Sequence, residues 1–138
     1  MTHPIGLIDT NVVVLWGAVN ADELPERVTI SSITLAELSI GPMITSSPSQ
    51  MAKRLSILQW AESAFDPIPF DSDAAREYGA VWAATRPAGR DPRRRIADLL
   101  IACIAISHRV PLYTVNPKDF RGLEHLLTIE AVTHPDKN

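Results

Sequence analysis

Apolar positions along the chain fall into two kinds of segment. Short runs of about four apolar residues predict buried strands at residues 5–8, 28–31 and 111–115, with a fourth strand at 126–129. Longer segments carry apolar residues at helical spacing and predict helices at residues 11–19, 32–40, 50–64, 72–85 and 96–107. The last segment is apolar on nearly every side, so we expect that helix to lie at the centre of the fold.

The order of these elements predicts the fold class. Ser32 is placed to cap the second helix, and Gly41 and Pro42 are placed to end it. The Pro- and Gly-containing residues 86–94 predict a loop. Strands that alternate with helices predict a three-layer α/β/α domain with a short central parallel sheet. Functional sites in such sheets form beyond the carboxyl ends of the strands.

Length and composition predict one globular domain over residues 1–138, with a disordered tail from 134 to 138. The longest apolar run, residues 96–106, is interrupted by Asp98 and is shorter than the ~20 residues that span a bilayer. The N-terminus has no basic segment typical of a signal peptide, so we expect a cytoplasmic protein. Cys103 is the one cysteine, which excludes an internal disulfide and a cysteine-based zinc site and favours a buried structural thiol.

Four acids follow strands or lie near helix starts: Asp9, Glu37, Asp98 and Asp119. Each has an ordinary structural interpretation, as a helix cap, a capping-box residue with Thr34, a dipole-stabilised acid or a surface acid, respectively. A purely structural role is hardest to accept for Asp98, because its helix has no obviously polar face and a buried carboxylate needs a partner. All four interpretations together would place acids at one sheet edge by coincidence. A carboxylate cluster explains them jointly, and such oxygen ligands suit Mg²⁺ or Mn²⁺.

Four segments carry a family resemblance, and they occur in the family's order. They are residues 7–11 (LIDTN), 33–38 (ITLAEL), 96–102 (IADLLIA) and 113–120 (YTVNPKDF). The chain resembles the PIN-domain ribonuclease toxins of the VapC type, from VapBC toxin–antitoxin pairs. The resemblance implies a metal-dependent endoribonuclease that hydrolyses phosphodiester bonds in RNA, with transfer and ribosomal RNA as candidate substrates.

The resemblance also implies roles for single residues. Asp9, Glu37 and Asp98 would bind the metal ion, and Asn11 and Thr114 would orient them or their waters. Asp119 is assigned as the final acid, with Asn116 as the alternative, because Asn116 occupies a position where many relatives carry an acid. By the same resemblance we expect a homodimer and a cognate VapB-type antitoxin. Two sets of apolar residues could line a groove for the antitoxin or close the core: Leu15, Trp16 and Val19, and Leu35, Leu38, Ile40 and Met43.

Basic residues are concentrated in one segment although the net charge is −3. Five of the 13 Lys and Arg lie between residues 86 and 95, just before the helix that carries Asp98. We expect Arg90, Arg93, Arg94 and Arg95 to contact the RNA backbone, and the alternative is a solvated linker.

Two other functions compete with the toxin. One is a PIN-type RNA-processing nuclease without an antitoxin, and the other is a non-catalytic nucleic-acid-binding module in which the acids are only caps. Metal dependence separates the module from the enzymes, and an adjacent upstream reading frame for a small DNA-binding protein separates the enzymes from each other.

Overall fold

The structure is a computed structural model that describes residues 3–87 and 95–137. Its four strands are β1 (Ile5–Ile8), β2 (Arg27–Thr29), β3 (Leu112–Thr114) and β4 (Ile129–Ala131). Its five α-helices are α1 (Thr10–Val14), α2 (Ser32–Ile40), α3 (Pro48–Ala64), α4 (Ser72–Thr85) and α5 (Ile96–His108). Short 3-10 helices lie at Ala21–Glu23, Gly41–Ile44, Pro117–Phe120 and Pro135–Lys137.

The four strands form one parallel sheet in the order β2-β1-β3-β4. Leu7 of β1 pairs with Thr29 of β2 on one side and with Leu112 of β3 on the other. The strand at the N-terminus of the chain therefore lies inside the sheet, and its carboxyl end lies beside that of β3.

Helices cover both faces of the sheet, as the sequence predicts. Leu7 and Leu112 belong to a buried cluster with residues of α4 and α5. The next residue of each strand, Ile8 or Tyr113, belongs to a second buried cluster with residues of α1, α2 and α3. Successive strand side chains point to opposite faces, so two adjacent apolar residues in each strand reach two separate layers of helices.

The central helix α5 matches its prediction closely. Six of its residues are buried, including Cys103, which confirms the buried thiol. The helix ends at Arg109, which has a left-handed backbone (φ 56°), and Val110 N donates to Ala105 O at 3.1 Å to close the last turn. None of the helices within residues 3–87 and 95–137 has the length and apolar character needed to cross a membrane.

Element ends differ from the prediction in several places. The fourth strand, predicted at residues 126–129, lies later in the chain: Leu123 and Leu127 are buried on a turn in which Leu127 N donates to Leu123 O at 3.2 Å, and β4 begins only at Ile129. The helix predicted at residues 11–19 is regular only to Val14 and continues as hydrogen-bonded turns. Ser31 rather than Ser32 caps α2.

The C-terminal end also differs. A 3-10 turn occupies Pro135–Lys137, where the sequence predicts a disordered tail.

We predict that Gly6→Ala destabilises the protein by about 1–3 kcal/mol, because it overpacks a filled site. An added Cβ would lie 2.5 Å from Cε1 of the buried Tyr113 ring and 2.9 Å from Pro25 Cγ. The measurement is the free energy of unfolding in urea. Gly79→Ala in α4 is the matched control, since its Cβ meets nothing within 4 Å, and it should stabilise the helix by up to about 1 kcal/mol. Equal stability of Gly6→Ala and the wild type would contradict the close contact.

Candidate active site

Four acids from four different elements line one cleft of about 410 Å³. They are Asp9 after β1, Glu37 in α2, Asp98 in the first turn of α5 and Asp119 in the 3-10 helix that follows β3. The structure thus brings together all four acids singled out from the sequence, at the carboxyl edge of β1 and β3. The rest of the described wall is formed by Thr10, Asn11, Val14 and Leu15.

Asp9 is only 3% exposed, and three hydrogen bonds hold its carboxylate in place. One carboxylate oxygen accepts from Thr10 N at 2.8 Å, which makes Asp9 the N-cap of α1. The other accepts from Thr114 Oγ1 at 2.8 Å and from Asn11 Nδ2 at 3.2 Å. Asp9 is therefore both a helix cap and part of the cleft wall. Its pKa is raised to about 6, chiefly by burial, while the hydrogen bonds from Thr114 and Thr10 oppose the rise and the nearby Glu37 and Asp119 charges add to it.

Asn11 and Thr114 fix the position of Asp9 relative to β3. Asn11 Nδ2 also donates to Thr114 Oγ1 at 3.2 Å, and Asn11 Oδ1 accepts from Val115 N at 3.3 Å. Thr114 Oγ1 accepts in addition from Asn116 N at 3.0 Å. Because Thr114 Oγ1 already accepts from two N–H groups, its own proton is available for Asp9. The side chains of Asn11 and Thr114 thus connect the start of α1 to the end of β3, and they restrict the movement of Asp9.

Glu37 lines the cleft and is held there by Thr10, a contact that the sequence does not predict. Thr10 Oγ1 donates to Glu37 Oε1 at 2.6 Å and lies 3.0 Å from Thr34 Oγ1. The interpretation of Thr34 and Glu37 as a capping box is wrong, because the N-cap is Ser31, whose Oγ accepts from Thr34 N at 3.0 Å. A threonine directly after Asp9 was the one available signal, and in sequence it is indistinguishable from an ordinary residue at a helix start.

Asp98 lies among like charges and is 20% exposed. Burial raises its pKa to about 7, and the charges of Asp9, Asp119 and Glu37 add to the rise, while Arg95 opposes it. The Asp98 carboxyl group therefore lies in a poorly solvated place with more acidic than basic groups around it. A divalent cation would relieve that repulsion.

Asp119 lines the cleft, and Asn116 supports it from the side. Asn116 Nδ2 donates to Asp119 Oδ2 at 2.9 Å. The Arg95 guanidinium contacts Asp119 Oδ1, and its Nη1 lies 3.7 Å from Asp98 Oδ2. One arginine of the predicted RNA-binding segment therefore points at the acids. Arg90, Arg93 and Arg94 lie outside the described residues.

The donor set of the cleft fits Mg²⁺ or Mn²⁺. Its carboxylates are hard oxygen donors, and burial together with the neighbouring acids raises the pKa values of two of them, Asp9 and Asp98. Within residues 3–87 and 95–137, no three His, Cys, Asp or Glu side chains are arranged to hold one metal ion together. The acids thus share a cleft without forming a closed metal cage.

The apolar residues considered for a groove separate into two groups. Trp16 packs against Trp60 with ring centroids 5.5 Å apart, and Val19 and Leu38 belong to the same cluster. Ile40 and Met43 are 51% and 79% exposed. They lie near three further exposed apolar residues of the 3-10 helix at Gly41–Ile44 and of α3: Ile44, Met51 and Leu55. We call these five residues, Ile40, Met43, Ile44, Met51 and Leu55, the apolar patch.

Comparison with known proteins gives consistent relatives over nearly the whole chain. Residues 7–126 match the family described as PIN domain. Ribonuclease VapC5 of Mycobacterium tuberculosis is 32% identical over 134 residues, which cover 95% of this chain and 96% of that protein. Ribonuclease VapC1 of Rickettsia felis is 28% identical over 135 residues, which cover 91% and 96%.

Solved structures agree with these relatives. VapBC-5 from Mycobacterium tuberculosis, a member of the VapBC family of toxin–antitoxin systems, superposes with a TM-score of 0.80 at 30% identity, covering 95% of this chain and 99% of that one. VapBC2 from Rickettsia felis, bound to a DNA fragment from their promoter, superposes with a TM-score of 0.68 at 26% identity, covering 93% and 98%.

We predict that Asp98→Asn stabilises the metal-free protein at pH 8 by about 2 kcal/mol, since water screens part of the repulsion that the variant removes. The folded state holds the Asp98 proton more tightly than the unfolded chain, whose pKa is near 3.8. The stability due to this group is therefore largest at low pH and falls as the pH rises from about 4 to about 7. Unfolding in urea at pH 4.5, 6 and 8, with chelator present, measures the difference.

Asp66→Asn is the control, because Asp66 is an exposed acid outside the cluster. Its effect on stability should be small at every pH. A gain for Asp98→Asn that does not grow between pH 4.5 and pH 8 would show that the repulsion in the cleft has no effect on folding.

Proposed function

The chain belongs to the PIN-domain family and, within it, to the VapC ribonucleases of VapBC toxin–antitoxin systems, and from this premise we propose that the acidic cleft hydrolyses RNA with the help of a divalent metal ion. The observation that carries the proposal is the convergence of Asp9, Glu37, Asp98 and Asp119 in one cleft. Caps or surface acids would have no reason to meet there. Since the substrate is cellular RNA, we place the protein in the cytoplasm.

We propose Mg²⁺ or Mn²⁺ as the cofactor, held by carboxylates among these four acids. When bound, the ion supplies an activated water and stabilises the charge that develops on the phosphate. The chain's own side chains set the positions of the ligands. Asp9 is oriented by Thr114 and Asn11, Glu37 by Thr10 and Asp119 by Asn116.

Each of these orienting contacts comes from a neutral donor. A neutral donor fixes a carboxylate without cancelling its charge, so the ligands stay both ordered and negative. Asp9 is already held in place by these contacts, so it would need little rearrangement to bind a metal ion. Asp119 differs, because a cation already contacts it.

The partner is a VapB-type antitoxin, as in the VapBC complexes that the chain resembles. We propose that the antitoxin covers the apolar patch, whose residues Met43 and Ile44 are 79% and 71% exposed. Several large apolar side chains exposed on elements that contact each other are typical of protein-binding surfaces. A processing nuclease without an antitoxin has no observation in its favour, and the homodimer stays a prediction.

We predict that Asp98→Asn lowers RNA cleavage by about 10² to 10³-fold or more, because it removes one charged ligand and part of the electrostatic stabilisation. Cleavage of single-stranded and transfer RNA in Mg²⁺ or Mn²⁺, with and without excess chelator, is the assay. Asp98→Asn is a cleaner test than Asp9→Asn, because an amide at residue 9 would oppose the donors that now satisfy Asp9. Asp66→Asn is again the control and should cleave like the wild type. Full cleavage by folded Asp98→Asn, or by the wild type in chelator, would exclude metal-dependent chemistry at this cleft.

We predict that the antitoxin complex survives Asp98→Asn but not Met43→Glu with Ile44→Glu. The acids bind metal and RNA, whereas an apolar interface loses affinity when charges are buried in it. Co-expression with the cognate antitoxin, pull-down and measurement of Kd give the result. The exposed Met43 and Ile44 can be replaced without disturbing the core, and unchanged thermal unfolding of the double variant checks this. Unimpaired binding by the double variant would place the antitoxin on another surface.

A further inference from the structure

Arg95 is a cation that the fold itself inserts among the acids. Its guanidinium contacts Asp119 Oδ1, and Nη1 lies 3.7 Å from Asp98 Oδ2. These two carboxylates come from different elements, α5 and the 3-10 helix after β3. Arg95 therefore bridges two of the four acids of the cleft.

The backbone position of Arg95 does not explain this contact. Arg95 is the N-cap of α5, but its side chain makes no capping hydrogen bond. An arginine is also an unusual N-cap, since Ser, Thr, Asp and Asn are the preferred ones. The guanidinium places positive charge near the start of a helix, where the macrodipole disfavours it. The interaction with Asp98 and Asp119 is therefore the favourable contact that explains the position of the Arg95 side chain.

Arg95 also interacts with two of the acids that we propose as metal ligands. Asp98 and Asp119 are two of the four acids that we assign to the metal, and no three acidic, His or Cys side chains in the described part of the chain stand ready to hold an ion. A guanidinium and a divalent cation would both neutralise these two carboxylates, so each weakens the attraction of the carboxylates for the other. The Arg95 side chain is 42% exposed, so rotation about its own bonds carries the guanidinium out of the cleft into solvent.

We propose that Arg95 competes with the divalent metal ion for Asp98 and Asp119 and, once the ion displaces it, binds an RNA phosphate at the mouth of the cleft. This inference rests on the proposed function. It assigns one residue two successive partners, a carboxylate pair before metal binding and a phosphate after it. Guanidinium suits both, because its planar donors match carboxylate and phosphate oxygens alike.

Arg95→Gln tests the proposal because the two partners predict changes of opposite sign. Without the competing charge, the Kd for Mn²⁺ measured by titration calorimetry should fall about twofold to fivefold, the effect of removing a partly exposed ion pair. The Kd for a single-stranded RNA, measured in Ca²⁺ at several salt concentrations, should rise, and the slope of log affinity against log salt should become shallower by about 0.7. Arg95→Lys keeps the charge and should lie between Arg95→Gln and the wild type in both measurements.

Arg76→Gln is the matched control, since it removes one positive charge from the exposed face of α4, where Arg76 lies 3.9 Å from Asp73. It should change neither Kd. A purely structural role for Arg95 would weaken both kinds of binding together, and that result would overturn the proposal, as would equal Mn²⁺ affinity of Arg95→Gln and the wild type.

The failure of this inference can be told from the failure of the proposed function. If the wild type binds Mn²⁺ and cleaves RNA but Arg95→Gln binds Mn²⁺ no more tightly, only the competition is wrong. If the wild type binds no Mn²⁺ at millimolar concentration, the metal assignment itself is wrong, and the competition with it. Thermal unfolding of each variant in chelator establishes that it is folded before the affinities are compared.

Discussion

Burial of the Asp9 carboxylate is the constraint on which the rest of the site depends. A charged group that is almost fully removed from water needs hydrogen bonds or an opposite charge, and Asp9 obtains three hydrogen bonds from its own helix start and from the end of β3. The Thr114 hydroxyl can reach it only because β1 and β3 are paired neighbours in register. Sheet pairing, the start of α1 and the geometry of the acids are therefore parts of one arrangement.

The hydrogen bonds to Asp9 do not remove the repulsion between the four acids. Hydrogen bonds from neutral groups hold the carboxylates in place, while burial and mutual repulsion raise the pKa of Asp98 to about 7. Unfavourable charge of this kind is common at catalytic sites, where stability is traded for activity, and it agrees with the role that we propose for these acids. Arg95 relieves the repulsion on the side of Asp98 and Asp119, and Asp9 and Glu37 have no comparable described cation against them. The charge in the cleft is therefore uneven, because Arg95 partly neutralises the side of Asp98 and Asp119 and the side of Asp9 and Glu37 stays negative.

The layered fold and the four acids could be predicted from sequence, because strand ends, helix starts and apolar periodicity are local signals. Asp98 stood out since an acid within an apolar helix has few explanations. The support of these acids could not be predicted in the same way. Thr10 acts across the cleft on Glu37, 27 residues away, and Asn116 acts on Asp119 through its side chain, so neither role shows in local pattern.

Misplaced elements have the same cause. Leu123 and Leu127 are apolar because they are buried on a turn, and apolarity alone does not distinguish a buried turn from a short strand. The choice between Asn116 and Asp119 likewise needed the path of the backbone after β3, which places Asp119 in the wall of the cleft.

The parallel pairing of β1 with β3 has a consequence for the timing of synthesis. A ribosome makes Asp9 among the first residues of the chain, but the Thr114 hydroxyl that completes its surroundings follows 105 residues later. Strand β1 has a partner in β2 early, yet its other edge stays open until residues 112–114 have left the exit tunnel. A nascent chain that has most of its length exposed still lacks Asp119, β3 and the wall they form. Cells that translate this toxin therefore face an assembled nuclease only after β3 and Asp119 have emerged, and an antitoxin can be made in the interval before that.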